Sequence, residues 1–228
     1  MQIIGLDPSL TNFGWAVHDT EAEGLDRCLA RGRFQTSAKT LFIDRYTTMR
    51  SNVIRLLEEY PQVTQIGLES PIFNEMWSEG MYGLFLYTCE ALRVSKRDVV
   101  LFSPPQIKVH ARDLLDRPTI GGKAWVMGKP DMVEAAQADT GGSGRWNHNE
   151  ADAYWVARTA GRFWKHLDGD LLTGELSKAE VHQFRAVKTF KRGKRAGQTV
   201  QTGVLYKEDE RFFRWYSGDG DKDGSKKD

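Results

Sequence analysis

The chain has 228 residues, enough for one sizeable domain with an appendage or for two small domains. Its 40% hydrophobic and 28% charged content excludes a disordered or fibrous protein, and the net charge of +1 selects no partner by itself. Two cysteines, Cys28 and Cys89, lie in apolar surroundings without metal-type spacing, which excludes a disulfide scaffold and fits small core residues in a reducing interior.

Ile3, Ile4 and Leu6 form a short apolar run that reads as a buried strand ending at Asp7. Pro8 cannot donate a ladder hydrogen bond and favours a turn, after which Phe13 to Val17 resumes as a second strand. The result is a hairpin with an acid at the lip of a central sheet. Cys28 to Phe34 reads as a third strand. From Leu41 to Tyr60, Ile43, Tyr46, Met49, Val53, Leu56, Leu57 and Tyr60 recur at helical steps, so a helix with one buried face is expected, stopped by Pro61. Val63 to Glu69 is the next strand, with Glu69 at its carboxyl end, where sites assemble in open α/β sheets. Phe73 and Trp77 follow in a polar-flanked loop, either stacking against a ligand or anchoring the loop in the core.

Gly80 to Val94 is apolar almost all round, as in a helix buried on two sides, either in the core or against a second subunit. Val99 to Phe102 is a fifth strand, and Pro104 to Leu115 a helix carrying Lys108. The stretch from Asp116 to Pro130 reads as a loop containing Trp125 and Lys129. A short helix from Asp131, its plausible cap, to Ala138 is followed by a flexible Gly141-Gly142-Ser143-Gly144 hinge. The helix from about Asn149 to Leu167 closes the globular part. Beyond Asp168 the apolar residues thin out. Gln198 to Lys207 alternates like a strand, Arg211 to Tyr216 is aromatic, and the last residues from Ser217 carry no apolar group, a composition typical of disorder. Five of the eight residues from Lys188 to Arg195 are basic (Lys188, Lys191, Arg192, Lys194 and Arg195), far from the acids of interest. No apolar run reaches membrane-spanning length and Met1 leads straight into the first strand, so no leader peptide and a cytoplasmic setting are expected.

The last globular helix opens Asn147-His148-Asn149-Glu150-Ala151-Asp152-Ala153. Residues three or four apart share a helix face, so Asp152 aligns with Asn149 and His148, while Glu150 points elsewhere. Three acids from distant elements, Asp7, Glu69 and Asp152, with no cysteine beside them, suit a hard cation held by oxygen, Mg²⁺ or Mn²⁺ rather than zinc. The purely structural alternative is that Asp7 starts a turn, Glu69 is a solvated strand end, and the acids and asparagines near Asp152 cap the helix.

The pattern Gly5-Leu6-Asp7-Pro8-Ser9, with Gly14-Trp15-Ala16 after it, resembles the first motif of the RuvC-like Holliday junction resolvases. The Asp152-Ala153 segment resembles their closing motif. The resemblance spans roughly residues 1 to 168. It implies an α/β, RNase H-like fold: a mixed five-stranded sheet flanked by helices, with residues 169–228 as a basic, aromatic-rich C-terminal extension. It also implies two-metal hydrolysis of branched DNA by a homodimer, with Asp7, Glu69 and Asp152 as ligands. Asn149 falls where the family usually has Asp or His, so the fourth ligand stays open among Asn149, His148 and Glu150, the first two favoured by helical geometry. Lys108 and Lys129 lie in segments resembling those with site-facing lysines, and Phe73, Trp77 and Trp125 are candidate base-stacking residues. The first hairpin also resembles the phosphate loop of actin-like ATPases and sugar kinases, but one chain of this length lacks the second half such proteins need. A non-catalytic junction-binding protein is the other rival.

Overall fold

The structure, a computed structural model, describes residues 1–70, 79–115, 126–142, 144–184, 187–194, 196–201, 203–208 and 213–216. Strands β1 (Gln2–Asp7), β2 (Asn12–Asp19) and β3 (Cys28–Gln35) form an antiparallel meander. Helix α1 (Phe42–Glu59) leads to β4 (Gln65–Glu69), which pairs parallel to β1. Helix α2 (Glu79–Val94) then leads to β5 (Asp98–Phe102), parallel to β4. Helices α3 (Pro104–Leu115), α4 (Lys129–Thr140) and α5 (His148–Asp168) follow.

Side chains on a strand alternate between faces, and this sheet uses both. Ile4 and Leu6 of β1, Ile66 and Leu68 of β4, and Val99 and Leu101 of β5 pack beneath α1 and α2, with Met49, Val53, Leu57 and Leu84. The opposite face, with Ile3, Val100 and Phe102, lies against α3 to α5 and is filled by Tyr154, Trp155, Phe163 and Trp164. The first turn of α1 departs from the expected buried face. Ile43 is exposed while Arg45 is buried, because its guanidinium donates to the Thr11 and Thr36 hydroxyls. Helix α2 buries one face only, through Leu84, Thr88, Ala91 and Leu92, and leaves Tyr82 and Leu86 exposed.

Two further expectations need correcting. Lys129 and Pro130 open α4 rather than ending a loop, since proline's fixed φ suits the first turn. Asp131 is therefore inside the helix, where its carboxylate accepts from the Gly128 N–H at 2.7 Å. Gly141 ends the helix in the left-handed region, at φ 62°.

The sheet has seven strands rather than five, running from β3 through β2, β1, β4 and β5 to two further strands beyond β5. The additional two come from the chain beyond α5, which forms a short helix α6 (Lys178–Phe184), a small hairpin of β6 (Val187–Thr189) with β7 (Thr199–Gln201), then β8 (Val204–Lys207) and β9 (Arg214–Tyr216). The continuous strand expected from Gln198 to Lys207 is thus two strands in different sheets. Strand β8 runs antiparallel to β5, and Tyr206 and Tyr216 complete the aromatic core around Phe163. Among the described residues, no helix is long and apolar enough to cross a membrane.

Candidate active site

Helix α5 lies against β1, β2 and β4 closely enough that side chains on those strands would collide with it. A Cβ on Gly5 would sit 2.0 Å from the Ala153 carbonyl oxygen, one on Gly14 2.1 Å from that of Asn149, and one on Gly67 2.7 Å from the Ala160 Cβ. Glycine is what permits this approach. Two residues beyond Gly5 and Gly67, on the same face, come Asp7 and Glu69 at the carboxyl ends of adjacent parallel strands. Where the strands end, the first turns of α5 supply Asp152. The spacing Gly-Leu-acid occurs on both strands (Gly5-Leu6-Asp7 and Gly67-Leu68-Glu69) and was a readable sign that both acids point at the same helix.

The three carboxylates influence one another strongly. Burial, and after it Asp152, push Asp7 well above the ordinary carboxylate range. Burial, then Asp7 and Asp152, do the same to Glu69. Asp152 is pushed up to about 6, chiefly by burial, with Lys108 and Lys129 pulling the other way. None of the three has an ion pair or hydrogen bond with another described residue. Among the described residues, no three His, Cys, Asp or Glu side chains are gathered closely enough to hold a metal ion as they stand.

The charges of both expected lysines act on these acids. Lys129 lowers the pKa values of Asp7 and Asp152, and Lys108 on α3 those of Glu69 and Asp152. The Lys129 ammonium donates to His148 Nε2 at 3.2 Å, which requires that nitrogen to be unprotonated. The His148 pKa is accordingly lowered, first by burial and then by Lys129 and Arg33.

The start of α5 sorts the remaining candidates. Asn147, not singled out from the sequence, is the N-cap, and its side chain accepts from the Asn149 N–H at 3.0 Å. Glu150 accepts from the Asn147 N–H and pairs with Arg31 at 3.3 Å and Arg33 at 3.5 Å, so it turns away from the acids. Asn149 is buried, one turn before Asp152. Asp, Asn, Ser and Thr caps are common enough for Asn147 to have been found, but the two arginines on β3 depend on tertiary pairing.

Of the other sequence candidates, Lys191, Arg192 and Lys194 are exposed at the tip of the β6–β7 hairpin. The Lys188 side chain and residues Phe73, Trp77, Trp125 and Arg195 lie outside the described residues.

Acids at the carboxyl ends of two neighbouring parallel strands, a preceding antiparallel meander and a helix bringing a third acid across the sheet together define an RNase H-like α/β fold. The chain matches no protein-family model and no curated protein sequence. Among solved structures it is similar to Thermus thermophilus RuvC, with a TM-score of 0.56 and 20% identity over 74% of this chain and 97% of that one. It is also similar to T. thermophilus RuvC in complex with Holliday junction substrate, with a TM-score of 0.53 and 18% identity over 74% and 96%. The chain is RuvC-like in fold.

Proposed function

We propose that the chain is a structure-selective endonuclease that hydrolyses a phosphodiester of branched DNA, Holliday junctions above all and forks or flaps besides, leaving 5′-phosphate and 3′-hydroxyl ends. One observation carries this reading. Three partly or fully buried carboxylates lie at one end of the sheet, near enough to raise one another's pKa, with no described ion pair to neutralise them, an arrangement that is costly unless a ligand repays it. Buried acids elsewhere in the chain do not look like this. Asp139 is bonded by Arg27, Arg158 and Tyr154, and Glu180 is paired with Arg162. The likeness to a junction-bound RuvC supports branched DNA as the substrate class.

The donors are all oxygen, which fits Mg²⁺ or Mn²⁺. Asp7, Glu69 and Asp152 would hold the metal. Asn149 would be the added ligand, since Glu150 serves as a cap and arginine partner and His148 Nε2 is engaged by Lys129. Bound there, such ions would supply activation of a water and stabilisation of the leaving oxygen. The chain's own part is to hold the acids at fixed strand ends and to place Lys108 and Lys129 beside them. There the two ammonium groups offset negative charge developing on the phosphate.

A homodimer fits a two-fold substrate. The exposed apolar group formed by Leu41, Phe42 and Ile43 with Tyr82 and Leu86 of α2 is a candidate surface for it. The exposed Lys191, Arg192 and Lys194 would reach duplex phosphates from the hairpin, and the catalytic unit would be residues 1–168. A cytoplasmic setting accords with this role.

The test is Asp7→Asn. With Mg²⁺ or Mn²⁺ the wild-type protein should nick labelled four-way junctions, and the variant should bind them without cutting. Cutting by Asp7→Asn overturns the site. Binding without metal-dependent cutting by the wild type favours a junction-binding protein on a nuclease fold, the reading that Asn149 in place of an acid would suit.

A further inference from the structure

Beside the acids runs a cleft of about 660 Å³ lined by Arg33, Lys129, Arg145, Trp146, His148 and Glu150. Its position follows from register. Arg33 on β3 lies opposite Gly14 on β2, which lies opposite Asp7 on β1. Directly opposed residues share a face, so Arg33 stands on the same face as Asp7, two strand spacings away, or about 10 Å. The cleft also shares Lys129 and His148 with the site itself.

The charges in the cleft do not cancel. Glu150 is its acid, and it is already taken up by Arg31, outside the lining, and by Arg33. Arg145 is exposed and forms no ion pair with a described residue. The neighbouring helix starts need no anion, because Asp131 and Glu150 already accept from the backbone N–H groups of Gly128 and Asn147. What remains is a group of positive side chains, with Trp146 packed under the Arg31 guanidinium at 3.8 Å as a rigid floor.

We propose that this cleft seats a backbone phosphate of the strand being cut, one flanking the scissile phosphate on the β3 side, with Arg145 and Arg33 as its positioning residues. The start of α5 lies on Gly14 between Asp7 and Arg33, so the strand then reaches the cleft past that helix start rather than along the sheet face. A planar guanidinium can meet phosphate with two parallel hydrogen bonds, which fixes register as well as affinity. Arg145 is the more informative of the two, because changing Arg33 also disturbs Glu150.

This assignment rests on the nuclease reading, and a methylphosphonate scan separates the two. Each phosphate of one junction strand is replaced in turn by neutral methylphosphonate, and binding to the Asp7→Asn protein is measured with and without Arg145→Ala. A confined set of positions beside the cut should weaken binding when neutralised, and Arg145→Ala should abolish that sensitivity at one of them while weakening binding to unmodified DNA roughly tenfold. Arg33→Gln should act at the same position or its neighbour, and thermal melts of each variant report folding independently. If Arg145→Ala leaves the scan unchanged, or lowers binding evenly at every position, the cleft assignment is overturned even where the wild-type protein cuts DNA. If the wild type never cuts, the nuclease reading falls, and the scan still decides whether the cleft holds phosphate.

Discussion

Asp7 and Asp139 are both buried carboxylates, and their surroundings drive them in opposite directions. Burial works to raise Asp139, but Arg158, Tyr154 and Arg27 override it and hold the group below its ordinary value. Asp7 has burial and Asp152 acting together against its charge, with Lys129 as partial relief. A carboxyl whose folded pKa is raised binds more protons in the native state than in the unfolded one, so its contribution to stability falls as pH rises from its unfolded value through its folded one. Asp7→Asn removes that penalty. Without divalent ions, the variant should melt above the wild type at pH 8, and the difference should shrink as pH falls and disappear near pH 4, as followed by circular dichroism. Saturating Mg²⁺ should raise the wild-type melting temperature and leave the variant almost unmoved. At this scale the sequence was informative. Asp7 and Glu69 each end an apolar strand and Asp152 lies between alanines in the first turns of a helix, and that placement is a local signal. The roles of His148 and Glu150 were not open to the same reading, because their partners, Lys129 and the arginines of β3, are distant in the chain.

Helix α5 can reach the strand ends only because glycines line its path. At Gly14 an added methyl group would meet the Asn149 carbonyl oxygen at 2.1 Å, and backbone on both sides leaves little room to yield. Gly14→Ala should cost about 1–3 kcal/mol in urea unfolding, the usual penalty for overfilling a packed interior. It should also slow cutting by up to about 100-fold, because lifting the start of α5 carries Asp152 away from Asp7. The helix itself was legible from its periodic apolar residues, with its ends one residue beyond those expected. Its tight seating was not, since a glycine in a strand signals close approach without naming what approaches. The same limit explains α1, where the expected face held at Met49, Val53 and Leu57 but failed at Ile43, once Arg45 found two threonine hydroxyls from the first hairpin and its neighbour.

Across the whole molecule, the segment after α5 divides into two physically different parts. Strands β8 and β9 extend the main sheet, and the Tyr216 hydroxyl meets His166 Nε2 at 3.1 Å inside the aromatic core. The β6–β7 hairpin forms a separate small sheet, with Lys191, Arg192 and Lys194 exposed at its tip. Replacing those three residues together by alanine should leave the melting temperature unchanged. In a salt titration of junction binding, the slope of log affinity against log salt should fall by about 2–3, close to one for each phosphate no longer neutralised. An unchanged slope would show that the hairpin stands clear of the DNA. The composition of this segment announced its basic character but not the division, because alternation from Gln198 to Lys207 looks the same whether a strand stays in one sheet or changes sheets. The break at Gly203, where a side chain would strike the Tyr216 carbonyl oxygen, depends on tertiary packing that the linear pattern does not contain.

Strand β5 is closed on its outer side by β8, whose residues emerge from the ribosome long after β5 itself. During that interval the growing chain carries an unpaired, strongly apolar strand margin, open to any extended peptide that can match its hydrogen bonds. A second copy of the chain can supply the same β8 segment, but only until the chain's own tethered β8 arrives to take the place. Shortened forms ending before β8 leave that margin open for good and should therefore aggregate edge to edge, with Asp7 and Glu69 still at their strand ends.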